Sequence, residues 1–152
     1  MGKDRLAAAV GAYTIYPYFN VLVIDAGSAI TFDMVSESGE YLGGNISPGL
    51  EMRFRALHEF TSKLPWVSKN ENFPDAGFDT ESSIVCGVQW GIINEIEGYI
   101  LNYLAKFQNI KIILTGGDAN FFDKKVKSPI FVVPNLVLIG LNQILKYNDK
   151  KL

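Results

Sequence analysis

Three stretches of this 152-residue chain carry side chains suited to chemistry. In VLVIDAGSAITFD, residues 21–33, a β-branched run ends in Asp25, and Gly27 and Ser28 follow. A carboxylate closing a buried strand is costly unless it is paired, hydrogen-bonded or bound to a cation. Gly27 admits a ligand to the backbone, Ser28 adds a hydroxyl and an amide, and Thr31 is placed to bond back into the loop. Such a turn suits phosphate oxygens and an accompanying cation. On spacing alone, Asp25 equally reads as an ordinary turn residue. TGGD, residues 115–118, repeats the pattern, since a strand ending in Gly116 and Gly117 before a helix can admit a nucleotide. In GKDR, residues 2–5, Asp4 reads either as a helix cap beside a solvated arginine or as a general base beside Arg5, a bidentate carboxylate clamp.

The elements that must position these groups follow from hydrophobic spacing. Residues 3–13 form an alanine-rich helix ended by Pro17. Val21–Ile24, Ala29–Val35 and Tyr41–Ser47 read as adjacent strands of one sheet, and Asp25 should face a cleft near Gly116. Pro48-Gly49 opens a helix with Leu50, Phe54, Leu57 and Phe60 on its apolar side. The polar, proline-containing stretch 62–79 is a surface loop. Asp79 or Thr80 caps a long helix reaching about Phe107, with Glu81 in its first turn. Gly87, Gly91 and Gly98 fall on one face of it, which implies a close backbone neighbour, either inside the domain or across a subunit interface. IKIILT and FVVP are strands, and residues 135–148 are the closing helix. The order predicts an α/β fold with a mixed sheet.

Bulk properties narrow the function. At 48% hydrophobic and 20% charged residues the chain can bury a core. A net charge of −2 with no basic stripe argues against nucleic acid as a partner. One cysteine, Cys86, and one histidine, His58, leave little for a disulfide framework, a zinc site or a histidine triad. No apolar run is long enough to span a membrane and no signal peptide is visible, so a soluble cytoplasmic protein is expected.

Taken in order, GKDRLAAAVGAY, VLVIDAGSAITFD, GEYLGGNISPGL, ALHEFTSKLP, DTESSIVCGVQWG and ILTGGD resemble the type III pantothenate kinases. That family belongs to the superfamily of sugar kinases, Hsp70 and actin. The resemblance implies a ribonuclease H-like, actin-like ATPase domain, with residues 1–20 as a linking helix and substrate segment and 21–152 as the C-terminal domain of a two-domain kinase. It implies that Asp4 is the proton acceptor, that Gly2, Lys3, Asp4, Arg5 and Thr80 bind pantothenate, and that Asp25 holds a monovalent cation, K⁺ or NH₄⁺. It places ATP against Gly27, Ser28, Thr115, Gly116 and Gly117, with Mg²⁺ on the phosphates, in a homodimer of the first enzyme of coenzyme A biosynthesis. Ser28 stands where the family usually has threonine, which keeps the hydroxyl.

One departure is expected to matter. The family's first phosphate loop, Asp-x-Gly-Asn-Thr, and a pocket tyrosine have no counterpart before Gly2. The chain therefore reads as a C-terminal fragment or the product of a truncated gene, inactive by itself. The alternative is a non-catalytic regulatory or accessory domain of the same fold.

Overall fold

The computed structural model describes residues 1–151. Helix α1 (Lys3–Ile15) leads into strands β1 (Asn20–Ala26), β2 (Ala29–Val35) and β3 (Tyr41–Pro48). Helices α2 (Leu50–Glu59) and α3 (Thr80–Lys106) follow, then β4 (Ile110–Thr115), α4 (Ala119–Asp123), β5 (Phe131–Val132) and α5 (Leu136–Asp149). The strands form one sheet in the order β3-β2-β1-β4-β5. The first three are antiparallel neighbours, while β4 pairs parallel with both β1 and β5, so the sheet is mixed as expected.

Both faces of the sheet are covered, which is why β1 reads as a continuous apolar run. On one face Leu22, Ile24, Phe32, Met34 and Leu114 pack under α3 with Phe54, Ile92, Ile96 and Ile100. On the other face Val21, Val23 and Ile113 pack with Ala8 and Ala12 of α1 and Leu136 of α5. Residues 1–20 and the sheet share this second core. Strand alternation then sends Asp25, Thr31, Asp33 and Thr115 to the α1 face.

Alanine dominates α1 because α5 lies nearly on its backbone. A Cβ built on Gly11 would meet the Gly140 amide at 3.1 Å, and one on Gly140 would overlap the Ala7 carbonyl. The glycines of α3 behave differently. A Cβ at Gly87 or Gly98 would meet nothing within 4 Å, and at Gly91 only an Arg53 guanidinium nitrogen at 3.9 Å. An internal backbone contact therefore does not explain that stripe.

One local expectation needs correction. Phe60 caps the C-terminal end of α2 and is 85% exposed, so it is not on the apolar side. Residues 62–79 lack regular structure, yet they are pinned to α3. The buried Gln89 bonds both backbone groups of Asn70, and Trp90 and Cys86 both donate to the Pro74 carbonyl. Asp79, one of the two candidate caps, closes a capping box with Ser82.

The two sets of glycines should respond oppositely to alanine. In the monomeric chain, Gly98→Ala should be stabilising by up to about 1 kcal/mol, the helix-propensity difference. Gly140→Ala should destabilise it by roughly 1–3 kcal/mol, because the methyl has no room. Urea denaturation of both variants checks the signs, and equal signs would contradict the packing described.

Candidate active site

The C-terminal end of β1 is where the chemistry-bearing residues meet. Asp25 lies opposite Thr31 in the β1–β2 register and beside Thr115 in the β1–β4 register. The turn after β4 folds over it. Gly116 has φ +98°, a conformation favoured by glycine, and a Cβ there would lie 2.5 Å from Asp25 Oδ1. The Asp118 amide donates to the Ala26 carbonyl at 2.9 Å, which stitches the two turns together. Gly27 is half-buried and Ser28 exposed, and the Gly49 amide donates to the Ser28 carbonyl at 3.1 Å. Asp25 therefore sits at a strand end against Gly116, and Gly117 stands exposed beside it. Thr115 contributes differently from its neighbours. Its side chain is buried and its hydroxyl donates to the Val133 carbonyl at 2.6 Å, so only its backbone is left for a ligand.

The N-terminus of α1 is anchored on the neighbouring strand, at Asp33, two residues along β2 from Thr31. Gly2 is the N-cap, and Asp4 lies in the first turn, so the reading of Asp4 as the cap is replaced. Asp4 is exposed, as is Lys3. Arg5 reaches into the sheet. Its Nε lies 3.0 and 3.2 Å from the two Asp33 oxygens, and its Nη2 lies 2.5 Å from Oδ1 and 2.9 Å from the Tyr41 hydroxyl. Tyr41 in turn donates to Asp33 Oδ1 at 2.7 Å. The fork of the arginine is thus taken by Asp33, which corrects the expectation that Arg5 clamps a substrate carboxylate bidentately.

Asp33, Tyr41 and Gly44 are the members of this site that sequence reading passed over. Asp33 is wholly buried in β2 between Phe32 and Met34. A carboxylate interior to a buried strand needs a cationic partner, and that was the available signal. Gly44 lies opposite Asp33 in the β2–β3 register, and a Cβ there would come within 2.8 Å of Arg5 Nη2.

The electrostatics are uneven. The Asp33 hydrogen bond raises Arg5, and burial, with help from Asp33, pushes the Tyr41 phenol up to about 12. Asp33 is neutralised by its arginine, whereas no side-chain cation within salt-bridge distance of Asp25 is present among the described residues. Burial first, and then the charges of Asp4 and Asp33, raise Asp25 above the usual carboxylate value. Among the described residues no group of three or more His, Cys, Asp or Glu is arranged to hold a metal.

Thr80 is not part of this cluster. It lies exposed at the lip of a groove of about 900 Å³ between α2 and α3, with Arg53, Leu57, Asp79, Ser83 and Gly87.

A model of the family described as type III pantothenate kinase matches residues 1–102. The chain is 51% identical over 151 residues to the type III pantothenate kinase of Porphyromonas gingivalis, covering 97% of this chain and 62% of that protein. The chain belongs to the type III pantothenate kinase family. The enzyme of that name from Bacteroides fragilis is 50% identical over 152 residues, covering all of this chain and 63% of its own length. The chain therefore spans a little under two thirds of these pantothenate kinases. Among solved structures, a Baf family protein from Campylobacter jejuni aligns with a TM-score of 0.67 at 30% identity, covering 99% of this chain and 66% of its own. MreB5 of Spiroplasma citri bound to ADP aligns at 0.56 with 16% identity, covering 99% and 60%, and it shares the fold alone. The pantothenate kinase resemblance and the actin-like ATPase fold inferred from the motifs both hold.

A raised folded-state value means that native Asp25 binds its proton more readily than the unfolded chain does. Stability contributed by this group is then present at low pH and is lost as pH rises through the window between the unfolded and folded values. Asp25→Asn should raise the melting temperature at neutral pH, and the gap from the unsubstituted chain should close as pH falls to about 4. Thermal melts across that range test this, and a gap that widened on acidification would contradict it.

Proposed function

We propose that this chain supplies the pantothenate- and cation-binding part of an ATP-dependent pantothenate kinase, in the first step of coenzyme A biosynthesis. The observation that carries the reading is Asp25 left against Gly116 at the end of β1, with Arg5 of the first helix anchored on Asp33 of the neighbouring strand, in a chain of this family. Phosphoryl transfer asks a protein mostly for positioning and charge neutralisation. Asp4 is exposed at the helix start and accepts the proton of the pantothenate hydroxyl. Arg5 holds the substrate, and Gly2 and Lys3 line its approach. Gly27, Ser28, Gly116 and Gly117, with the Thr115 backbone, border the ATP. Asp25, half-buried and without a basic partner, fits a monovalent cation, K⁺ or NH₄⁺. Such a cation, and Mg²⁺ carried with ATP, would offset phosphate charge.

The test is a kinase assay coupled to ADP release. In a full-length kinase that carries this segment, Asp4→Asn should lower kcat by roughly 10²–10⁴-fold, the usual cost of losing a general base, with KM for pantothenate changed only a few-fold. A raised KM with kcat preserved would make Asp4 a binding residue instead.

A homodimer is part of the proposal. Thr80 and Gly87 line the same groove, and the Gly87, Gly91 and Gly98 stripe meets open space within the chain. A second copy packed on α3 accounts for glycines that cost about 1 kcal/mol each in helix propensity. A Cβ at Gly91 meets only the flexible end of Arg53 at 3.9 Å, so Gly91→Leu should give a folded monomer by light scattering with the circular dichroism spectrum intact. A variant that remains dimeric would place the interface elsewhere.

A further inference from the structure

We infer that Asp33 and Tyr41 are positioning residues that lock Arg5 with only its Nη1 edge open, so that this arginine takes a single ligand oxyanion end-on. The inference rests on the functional reading above. A free guanidinium has five N–H donors in a planar fork and usually meets an oxyanion with two of them. Here Nε is spent on both Asp33 oxygens, and Nη2 is spent on Asp33 Oδ1 and the Tyr41 hydroxyl. Nη1 makes no hydrogen bond among the described residues.

The arrangement is built rather than incidental. The Asp33 side chain is 1% exposed and that of Arg5 18%, so the pair is anchored inside while the arginine reaches the surface. The Tyr41 hydroxyl closes a triangle, accepting from Arg5 and donating to Asp33. Gly44 supplies the space, since a side chain there would press on both Asp33 and Arg5 Nη2. Rotating the guanidinium to offer its fork outward would leave the Asp33 carboxylate buried and unpaired, which is strongly disfavoured. The open edge belongs to the residue that follows Asp4, in the first turn of α1.

Two oxyanions of the proposed reaction fit one outward edge, the pantothenate carboxylate and the phosphoryl group received by its hydroxyl. Calorimetric titration of the chain with three probes separates them: pantothenate, its alcohol analogue panthenol, and phosphopantothenate. Tyr41→Phe and Asp33→Asn are compared with the unsubstituted chain. If Arg5 takes the carboxylate, both variants weaken pantothenate by roughly tenfold or more and leave panthenol unchanged, as loss of an oriented charge-assisted hydrogen bond requires. If it takes the phosphoryl group, phosphopantothenate weakens relative to pantothenate. Either selective loss supports the inference. Equal weakening of all three probes, or none, overturns it and makes the triangle purely structural. An unsubstituted chain that binds none of the probes overturns the functional reading and this inference together. If Asp33→Asn fails to fold, Tyr41→Phe, which removes one hydroxyl, decides alone.

Discussion

The buried ion pair between Arg5 and Asp33 joins the two parts of the molecule that must meet for the site to exist. Asp33 lies in the second strand, wholly enclosed, and Arg5 lies on the first helix, 28 residues earlier. A carboxylate with no access to water is tolerable only with its charge matched and its lone pairs filled. That requirement brings the N-terminal turn of α1 to the sheet and holds it on β2, where Asp33 lies opposite Val23 of β1. The charge of Asp4 in that turn adds to burial in raising Asp25 above the usual carboxylate value. Asp33 is neutralised by Arg5, whereas no side-chain cation among the described residues lies within salt-bridge distance of Asp25.

The rest of the packing serves this placement. The small residues of α1 let α5 approach closely, with Gly11 against Gly140, so that α1 is clamped along its length as well as at its arginine. The other face of the sheet carries the larger core, where Phe54, Ile92, Ile96 and Ile100 cover β1 and β2. With both faces of β1 buried, its end is fixed by packing, and the turns after β1 and β4 border Asp25. The Gly116 turn closes over Asp25 because no side chain intervenes. Residues 62–79, held by Gln89 and Trp90, also reach this turn, where Lys69 pairs with Asp118 at 3.3 Å.

Much of this was legible in the residues. Apolar runs separated by Gly27 and Gly39 placed the first three strands, because a strand buried on both faces must be apolar and a reversal needs permissive backbone. Asp79 was a recognisable cap, since short polar side chains satisfy free helix amides. The motifs in their order identified the family, and with it the actin-like fold. Where local reasoning failed, a distant contact decided. Phe60 has helical spacing but lies past the last turn of α2. Asp4 looked like a cap, yet the helix starts at Lys3 and Gly2 is its cap. The glycines of α3 resemble those of α1 and α5 on a helical wheel, but only the latter meet a backbone inside the chain.

By itself, then, the sequence determined the secondary elements, the mixed α/β class, the family, and the residue types able to bind phosphate, cation and carboxylate. Those properties depend on side-chain chemistry and on spacing along the chain. Tertiary structure alone decided how these groups are shared out: that Asp33 rather than a substrate occupies the fork of Arg5, that the Thr115 hydroxyl is spent on Val133, and that Thr80 sits on a separate groove. The reason is that hydrogen-bonding capacity is finite and is claimed by whichever partner folding brings within about 3 Å. Sequence shows which groups can bond, and only the packed chain shows which are already bonded.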